Sequence, residues 1–130
     1  MLKITKNIEY SLIAIRHMNN NKKICSAREI SNNYNIPYQI MAKTLQKLSK
    51  AKYVNANKGA RGGYYLNSHI KKVNLIDFIE QIEGPLGLVQ CITDTNCNLH
   101  DTCNIKSPLN KINNNIRNIL SKVTLDEIAN

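Results

Sequence analysis

The sequence predicts a mainly α-helical fold that carries one short β-hairpin and ends in a long helix. In several segments apolar residues recur three or four positions apart, which is the period of an amphipathic helix. Only residues 53–66 combine two short Tyr- and Val-containing runs with glycines between them, the pattern of a hairpin. With 130 residues, the chain is long enough to bury one modest core.

Residues 5–19 form the first predicted helix, and residues 19–23 form a polar break after it. One face of this helix is apolar and consists of Ile8, Leu12, Ile15 and Met18. The single Cys25 follows the break. Its default role is that of a small buried apolar residue.

Two short helices joined by a tight turn are predicted next. Ser26 and Glu29 are spaced as a capping box that starts a helix over residues 26–33. Pro37 suits the first position of a second helix, over residues 37–50. The apolar face of this second helix consists of Ile40, Met41, Leu45 and Leu48. This pattern is typical of a helix-turn-helix, whose second helix reads the DNA major groove. The candidate base-contacting residues are Tyr38, Gln39, Ala42 and Lys43.

The hairpin follows the second helix directly. Its glycines allow positive φ at the tip, from which Lys58 and Arg61 project. A helix-turn-helix followed by a basic glycine-rich hairpin is a winged helix, and the wing can place Lys58 and Arg61 in a minor groove.

Two more helices are predicted, over residues 74–83 and from Pro108 onwards, followed by a last short turn of helix over residues 124–129. The last long helix has an apolar stripe that consists of Leu109, Ile112, Ile116, Ile119, Leu120 and Val123. We expect this stripe to pack on a twin subunit, because helix-turn-helix proteins pair to reach two half-sites of a palindromic operator. The predicted organisation is a DNA-binding region over residues 1–72, a helix and cysteine loop over residues 73–107, and a dimerisation helix over residues 108–130.

The charge is unevenly distributed along the chain. Residues 1–72 hold 14 Lys and Arg against two acids, whereas residues 73–130 hold four bases against seven acids. A basic front half predicts a polyanion partner such as double-stranded DNA. No apolar run is long enough for a membrane span, and the first residues lack the apolar core of a signal peptide. We therefore expect a cytoplasmic protein, in which thiols stay reduced.

The cysteine loop over residues 91–103 carries the second chemical signal. Cys91, Cys97 and Cys103 are separated by five residues each, in a polar run that predicts a loop. Soft thiolates select zinc, copper(I) or iron–sulfur clusters, and three cysteines need a fourth donor from elsewhere. An iron–sulfur cluster, a structural zinc site and a disulfide loop with one free thiol all stay open. The five-residue gaps are unlike the short knuckles of zinc sites.

The order of these features resembles the Rrf-two family of bacterial winged-helix transcription regulators across essentially the whole chain. The motifs that carry the resemblance are the wing sequence KGARGGY over residues 58–64 and the C-x5-C-x5-C loop. The resemblance implies a homodimeric DNA-binding regulator, most simply a repressor, that senses nitric oxide, redox state or iron through an iron–sulfur cluster. It favours a 4Fe–4S cluster over a 2Fe–2S cluster.

The fourth ligand separates the branches of this family. IscR-like members carry a His three residues after the third cysteine, where this chain has Lys106. NsrR-like members use a carboxylate near the N-terminus of the partner subunit, and Glu9 occupies that position here. The resemblance is therefore NsrR-like more than IscR-like, and it implies Cys91, Cys97, Cys103 and Glu9 as ligands, with His100 in reserve. Glu9 for Asp departs from the NsrR-like pattern.

Two other functional classes compete with a cluster sensor. One is a zinc-stabilised or cluster-free winged-helix regulator. The other is an enzyme, which we do not expect because the sequence has no C-x-x-C pair, nucleophile–base arrangement or phosphate-binding glycine loop.

Overall fold

The helices and strands were located in a computed structural model that describes residues 3–87 and 104–130. Its helices are α1 (Lys6–Asn21), α2 (Ala27–Tyr34), α3 (Tyr38–Lys50), α4 (Leu75–Glu83), α5 (Lys106–Ser121) and α6 (Leu125–Ala129). The strands β1 (Val54–Asn57) and β2 (Gly63–Leu66) pair, and a 3-10 helix spans Ser68–Lys72. The predicted fold class, a mainly α-helical winged helix-turn-helix with a C-terminal helix, is confirmed.

Side-chain caps set the starting points of four helices, since the first backbone N–H groups of a helix have no intrahelical partner. The capping oxygens belong to Thr5 for α1, Ser26 for α2, Asn74 for α4 and Thr124 for α6. Helix α5 begins at Lys106, two residues before the predicted Pro108. Proline is tolerated there because the first turn does not need its missing N–H.

Helix α1 is the central element of the core. It packs against α3, α4, α6 and β2, and it buries Ile8, Ala14, Ile15 and Met18. The C-terminal residues return to this core, because the Leu125 N–H donates to the Val73 carbonyl at 2.9 Å and the Leu75 N–H donates to the Val123 carbonyl at 2.8 Å. One apolar cluster therefore joins residues from all three predicted segments of the chain, although their separate roles stay a prediction.

The wing is an antiparallel hairpin that is tied to the residue before α2. Val54 pairs with Leu66 and Asn57 with Gly63. Tyr64 also exchanges backbone hydrogen bonds with Cys25, at 2.9 and 2.8 Å. A Cβ on Gly63 would lie 2.7 Å from the Cys25 carbonyl oxygen, so this position accepts only glycine. The wing is consequently attached to the helix-turn-helix at its base.

Among the described residues, no helix has both the length and the apolar character to cross a membrane.

Candidate DNA-binding face and cluster-ligand region

The turn of the helix-turn-helix is built by Asn35, which ends α2 in the left-handed conformation with φ 53°. Asn tolerates this conformation better than most residues. Ile36, which follows, is buried and anchors the turn in the core. Helix α3 then buries Met41, Thr44, Leu45 and Leu48, so that its opposite face is directed at solvent.

The predicted base-contacting residues lie on the uncovered side of α3. Gln39 and Lys43 are exposed, Tyr38 is 44% exposed, and Ala42 is half-buried at the edge of this side. Ile40 was predicted to belong to the apolar face, but it is 42% exposed, because the buried stripe runs through Met41 and Thr44 instead. An apolar side chain on this side can contact a thymine methyl group.

Arg28 on α2 is a part of this face that the sequence analysis missed. Its guanidinium carbon lies 4.4 Å from the centroid of the Tyr38 ring, a cation–π stack. The stack links the exposed side of α2 to the first turn of α3. The ten-residue separation of Arg28 and Tyr38 matches no local motif, so only the packing of the two helices reveals the pair.

The tip of the wing carries Lys58 and Arg61, both exposed. Gly59 has φ 127°, and a Cβ on Gly62 would lie 2.5 Å from the Asn57 carbonyl oxygen, so the tip needs glycine at both positions. Within residues 3–87 and 104–130, no ion pair occupies Lys43, Lys58 or Arg61. These cations are therefore available to a polyanion without first breaking an internal pair.

Glu9, the candidate carboxylate ligand, lies in the first turn of α1. Its carboxylate is 3.0 Å from the Lys6 ammonium, and this contact raises the pKa of Lys6. The Lys6 side chain is largely exposed and that of Glu9 is about half exposed. The neighbouring Thr5 hydroxyl donates to the Glu83 carboxylate, which ties the start of α1 to the end of α4. An exposed i,i+3 pair of this kind contributes little to stability, so Glu9 is free to exchange Lys6 for another cation.

A groove of about 320 Å³ lies beside this end of α1. Its walls come from residues 3–8, α4, the chain at Leu86 and Gly87, and α5. Arg117 of α5 pairs with Glu80 and donates to the Leu86 carbonyl at 3.5 Å. Ile8, which precedes Glu9 in the chain, is one of the residues that line this groove.

Cys91, Cys97 and Cys103, together with His100, lie outside the described residues, as do residues 88–90. Their assignment as ligands therefore stays a prediction from the sequence. Lys106, at the position of the missing His, is the first residue of α5.

The stripe predicted on the last long helix is divided between two environments. Leu120 and Val123 pack against the core of the same chain, and Ile116 lines the groove. Ile112 and Ile119, by contrast, are 49% and 65% exposed, and Ile105, the residue immediately before α5, is also exposed. The three isoleucines recur every seven residues, so they form an apolar row along one side of α5 and its N-cap.

Comparison with known proteins gives one family. A model of the Rrf2 (Rrf-two) family, described as an iron-dependent transcriptional regulator, matches residues 4–130. The HTH-type transcriptional regulator NsrR of Bacillus licheniformis is 27% identical over 131 residues, which cover 98% of this chain and 92% of that protein.

Solved structures agree with the winged-helix architecture. CymR, the global cysteine regulator of B. subtilis, superimposes with a TM-score of 0.76 at 24% identity, over 99% of this chain and 97% of that one. IscR of T. potens superimposes with a TM-score of 0.73 at 23% identity, over 98% of this chain and 86% of that one. At these identities the two structures demonstrate a shared fold.

Proposed function

Because this chain belongs to the Rrf2 family of transcriptional regulators, we propose that it is a homodimeric repressor that senses nitric oxide, redox state or iron through an iron–sulfur cluster. The observation that carries the proposal is the C-x5-C-x5-C loop in a chain that aligns with NsrR over 98% of its length. Membership in a family of regulators also supports the expectation that the protein is not an enzyme.

The donor set fits an iron–sulfur cluster. Cys91, Cys97 and Cys103 supply three thiolates, and Glu9 of the partner subunit supplies an exposed carboxylate, which pairs with Lys6 within the described residues of its own chain. A carboxylate is a harder and weaker ligand for a cluster iron than a thiolate, so a bound cluster would supply one labile iron that is open to nitric oxide, oxygen or loss.

The residues of this chain connect such a cluster site to the recognition helices of the dimer. Glu9 is on α1, and α1 packs directly against α3, the helix that carries Gln39 and Lys43. A carboxylate that is held by the partner's cysteine loop fixes α1, and through it the relative placement of the two recognition helices. Loss of that ligand shifts the equilibrium between two relative placements of the recognition helices in the dimer.

Homodimerisation is supported by the exposed row of Ile105, Ile112 and Ile119. Large apolar side chains that recur every seven residues are typical of helix pairing, and water contact with them is unfavourable. The two recognition helices of a dimer would then read a palindromic operator with half-site centres about one helical turn, or a multiple of it, apart.

The cluster is tested with the freshly purified full-length chain under anaerobic conditions. We expect visible charge-transfer absorbance and, in native mass spectrometry, a dimer that carries a 4Fe–4S cluster on each subunit. Colourless protein with stoichiometric zinc would replace this proposal by a zinc-stabilised regulator. Alanine at Cys91, Cys97 or Cys103 should abolish the absorbance, because each change removes a strong thiolate.

The fourth ligand is tested by Glu9→Ala. This variant should fold and dimerise, but its cluster should differ from the wild type in spectrum, stability or rate of reaction with nitric oxide. If Glu9 only complements the positive end of α1, the change costs a few tenths to ~1 kcal/mol of stability and leaves the spectrum unaltered. Lys6→Ala is the matched control, since it removes the partner of Glu9 and leaves the carboxylate in place.

The wing is tested by Arg61→Ala in a binding assay with the natural operator. The affinity should fall by ~1–3 kcal/mol because the guanidinium reads bases or groove shape. Wild-type affinity in this variant would remove the wing from the proposed interface. Lys111→Ala on α5 serves as a control that removes an exposed cation outside the helix-turn-helix.

A further inference from the structure

Three side chains with metal-binding atoms converge beneath the helix-turn-helix. His17 comes from α1, Cys25 from the segment before α2, and Glu29 from α2, and their ligand atoms all lie within 4.8 Å of one another. They are separate from the cysteine loop and from Glu9. Three different elements meet at this point, so a shared ligand there would join them.

The imidazole of His17 is oriented as a metal ligand would be. The residue is only 6% exposed, and its Nδ1 lies 3.0 Å from the Tyr34 hydroxyl. Its Nε2 is buried and has no hydrogen-bond partner within the described part of the chain, yet it faces Glu29 Oε1 at 3.6 Å. Metal-bound histidines commonly engage their other ring nitrogen in this way, which fixes the ring and its tautomer.

Cys25 is fully buried, and its thiol donates to the Lys23 carbonyl oxygen at 3.5 Å. Burial, followed by the nearby Glu29 carboxylate, raises the pKa of this thiol, while Lys23 opposes the shift. The carboxylate of Glu29 is balanced by the Lys23 ammonium at 3.3 Å. Lys23 is largely exposed and can swing into solvent if another cation takes its place.

The spacing of these atoms suits a tetrahedral ion. Zinc bonds of ~2.0–2.3 Å to nitrogen, oxygen and sulfur place neighbouring ligand atoms roughly 3.3–3.8 Å apart. The distance of 3.6 Å between His17 Nε2 and Glu29 Oε1 falls within this interval. The three ligand atoms already lie within 4.8 Å of one another. A small rotation of the Cys25 or Glu29 side chain would therefore bring the Cys25 sulfur to the spacing that a tetrahedral zinc ion requires.

We propose that His17, Cys25 and Glu29 bind one divalent transition metal of the zinc class, with water in the fourth position. On binding, the Cys25 thiol loses its proton to solvent, and Lys23 releases Glu29. One thiolate and one carboxylate then balance the two positive charges of the ion, so that the buried centre is neutral. The donor set of nitrogen, sulfur and oxygen matches the ligand chemistry of zinc.

Such an ion would fasten α1 to α2 and to the wing. Cys25 already pairs with Tyr64 of β2 through two backbone hydrogen bonds, and Tyr34 at the end of α2 holds the His17 ring. Metal occupancy would therefore stiffen the whole frame on which α3 is presented to DNA, independently of any cluster on the loop cysteines.

The test uses the full-length chain with Cys91, Cys97 and Cys103 replaced by Ser, so that Cys25 is the remaining thiol. Cobalt(II) added at one equivalent should produce a thiolate-to-metal charge-transfer band, and zinc should displace the cobalt and raise the melting temperature. His17→Gln and Glu29→Gln should each weaken binding at least about tenfold, since even outer partners of a metal site are worth ~10–100-fold. Tyr34→Phe should weaken it within that same interval.

Two further variants separate this site from general electrostatics. Lys23→Gln removes the cation that competes for Glu29, so it should bind cobalt at least as tightly as the parent. Asp126→Asn removes a partly exposed carboxylate on α6 and should leave binding unchanged. Absence of the thiolate band in the parent, or parental affinity in His17→Gln and Glu29→Gln, would overturn the proposal. If His17→Gln does not fold, the cobalt affinity of Glu29→Gln decides the outcome, because Glu29 is partly exposed. Neither result depends on the loop cysteines, so failure here leaves the cluster proposal intact.

Discussion

Arg28 adds to the DNA-binding face a cation that the sequence pattern does not predict. The Arg28 guanidinium stacks on the Tyr38 ring, 4.4 Å from its centroid. This contact orders the side chain without neutralising its positive charge. A cation that is already ordered loses less side-chain entropy when it meets a phosphate. We therefore expect Arg28 at the DNA backbone, beside the predicted base contact of Lys43 and the predicted minor-groove contacts of Lys58 and Arg61.

At this scale we predict that Arg28→Ala weakens DNA binding about equally for specific and unrelated sequences. If the side chain neutralises one phosphate, the slope of log affinity against log salt should fall in magnitude by about 1. A titration at several salt concentrations measures this slope. Lys111→Ala on α5 should leave it unchanged, and an unaltered slope in Arg28→Ala would exclude a phosphate contact.

At the scale of an element, Glu29 of helix α2 makes two kinds of contact, one through its backbone N–H and one through its carboxylate. The predicted capping box is half realised: the Ser26 hydroxyl accepts from the Glu29 N–H at 3.0 Å. The Glu29 carboxylate, however, faces Lys23 and His17 instead of the start of its helix. Burial raises the pKa of Glu29, but the Lys23 ammonium, with a further contribution from His17, brings it below its ordinary value.

The cap therefore depends on Ser26 alone, and Ser26→Ala should lower the free energy of unfolding by ~1 kcal/mol. Urea unfolding monitored by circular dichroism measures this difference. Ser68, which is exposed and does not cap its 3-10 helix, supplies the control, since Ser68→Ala should have little effect. Equal stabilities of the two variants would mean that water replaces the Ser26 cap without cost.

On the scale of the whole molecule, α5 has two functions that its sequence does not separate. One side of α5 joins the core and the groove through Ile116 and Leu120, and Arg117 anchors it to Glu80 of α4. The adjoining row of Ile105, Ile112 and Ile119 stays at the surface. The helix is thus held by its own chain and leaves an apolar row at the surface, on which we propose that a second copy packs.

We accordingly predict that Ile119→Glu shifts the dimer towards monomer without unfolding the chain. A charge in a desolvated interface is strongly unfavourable, whereas the same charge on a 65% exposed residue of the monomer is not. Sedimentation velocity measures the association, and circular dichroism checks the fold. Asn114→Glu places the same charge on an exposed position of the opposite face and should remain dimeric. A dimeric Ile119→Glu would move the interface away from this row.

Local sequence patterns by themselves determined the approximate positions of the α-helices, the glycine-rich hairpin and the family, but not the 3-10 helix over Ser68–Lys72. Caps, turns and apolar periodicity depend on residues within a few positions of one another, so they are legible without coordinates. Contacts between distant residues depend on how the helices pack. That is why the structure alone revealed the Arg28–Tyr38 stack, the exposure of Ile40 and the meeting of His17 with Cys25 and Glu29. The same reason explains the divided surface of α5. Its apolar stripe is broader than the area that packs on the core of the same chain, so only tertiary packing decides which isoleucines remain exposed.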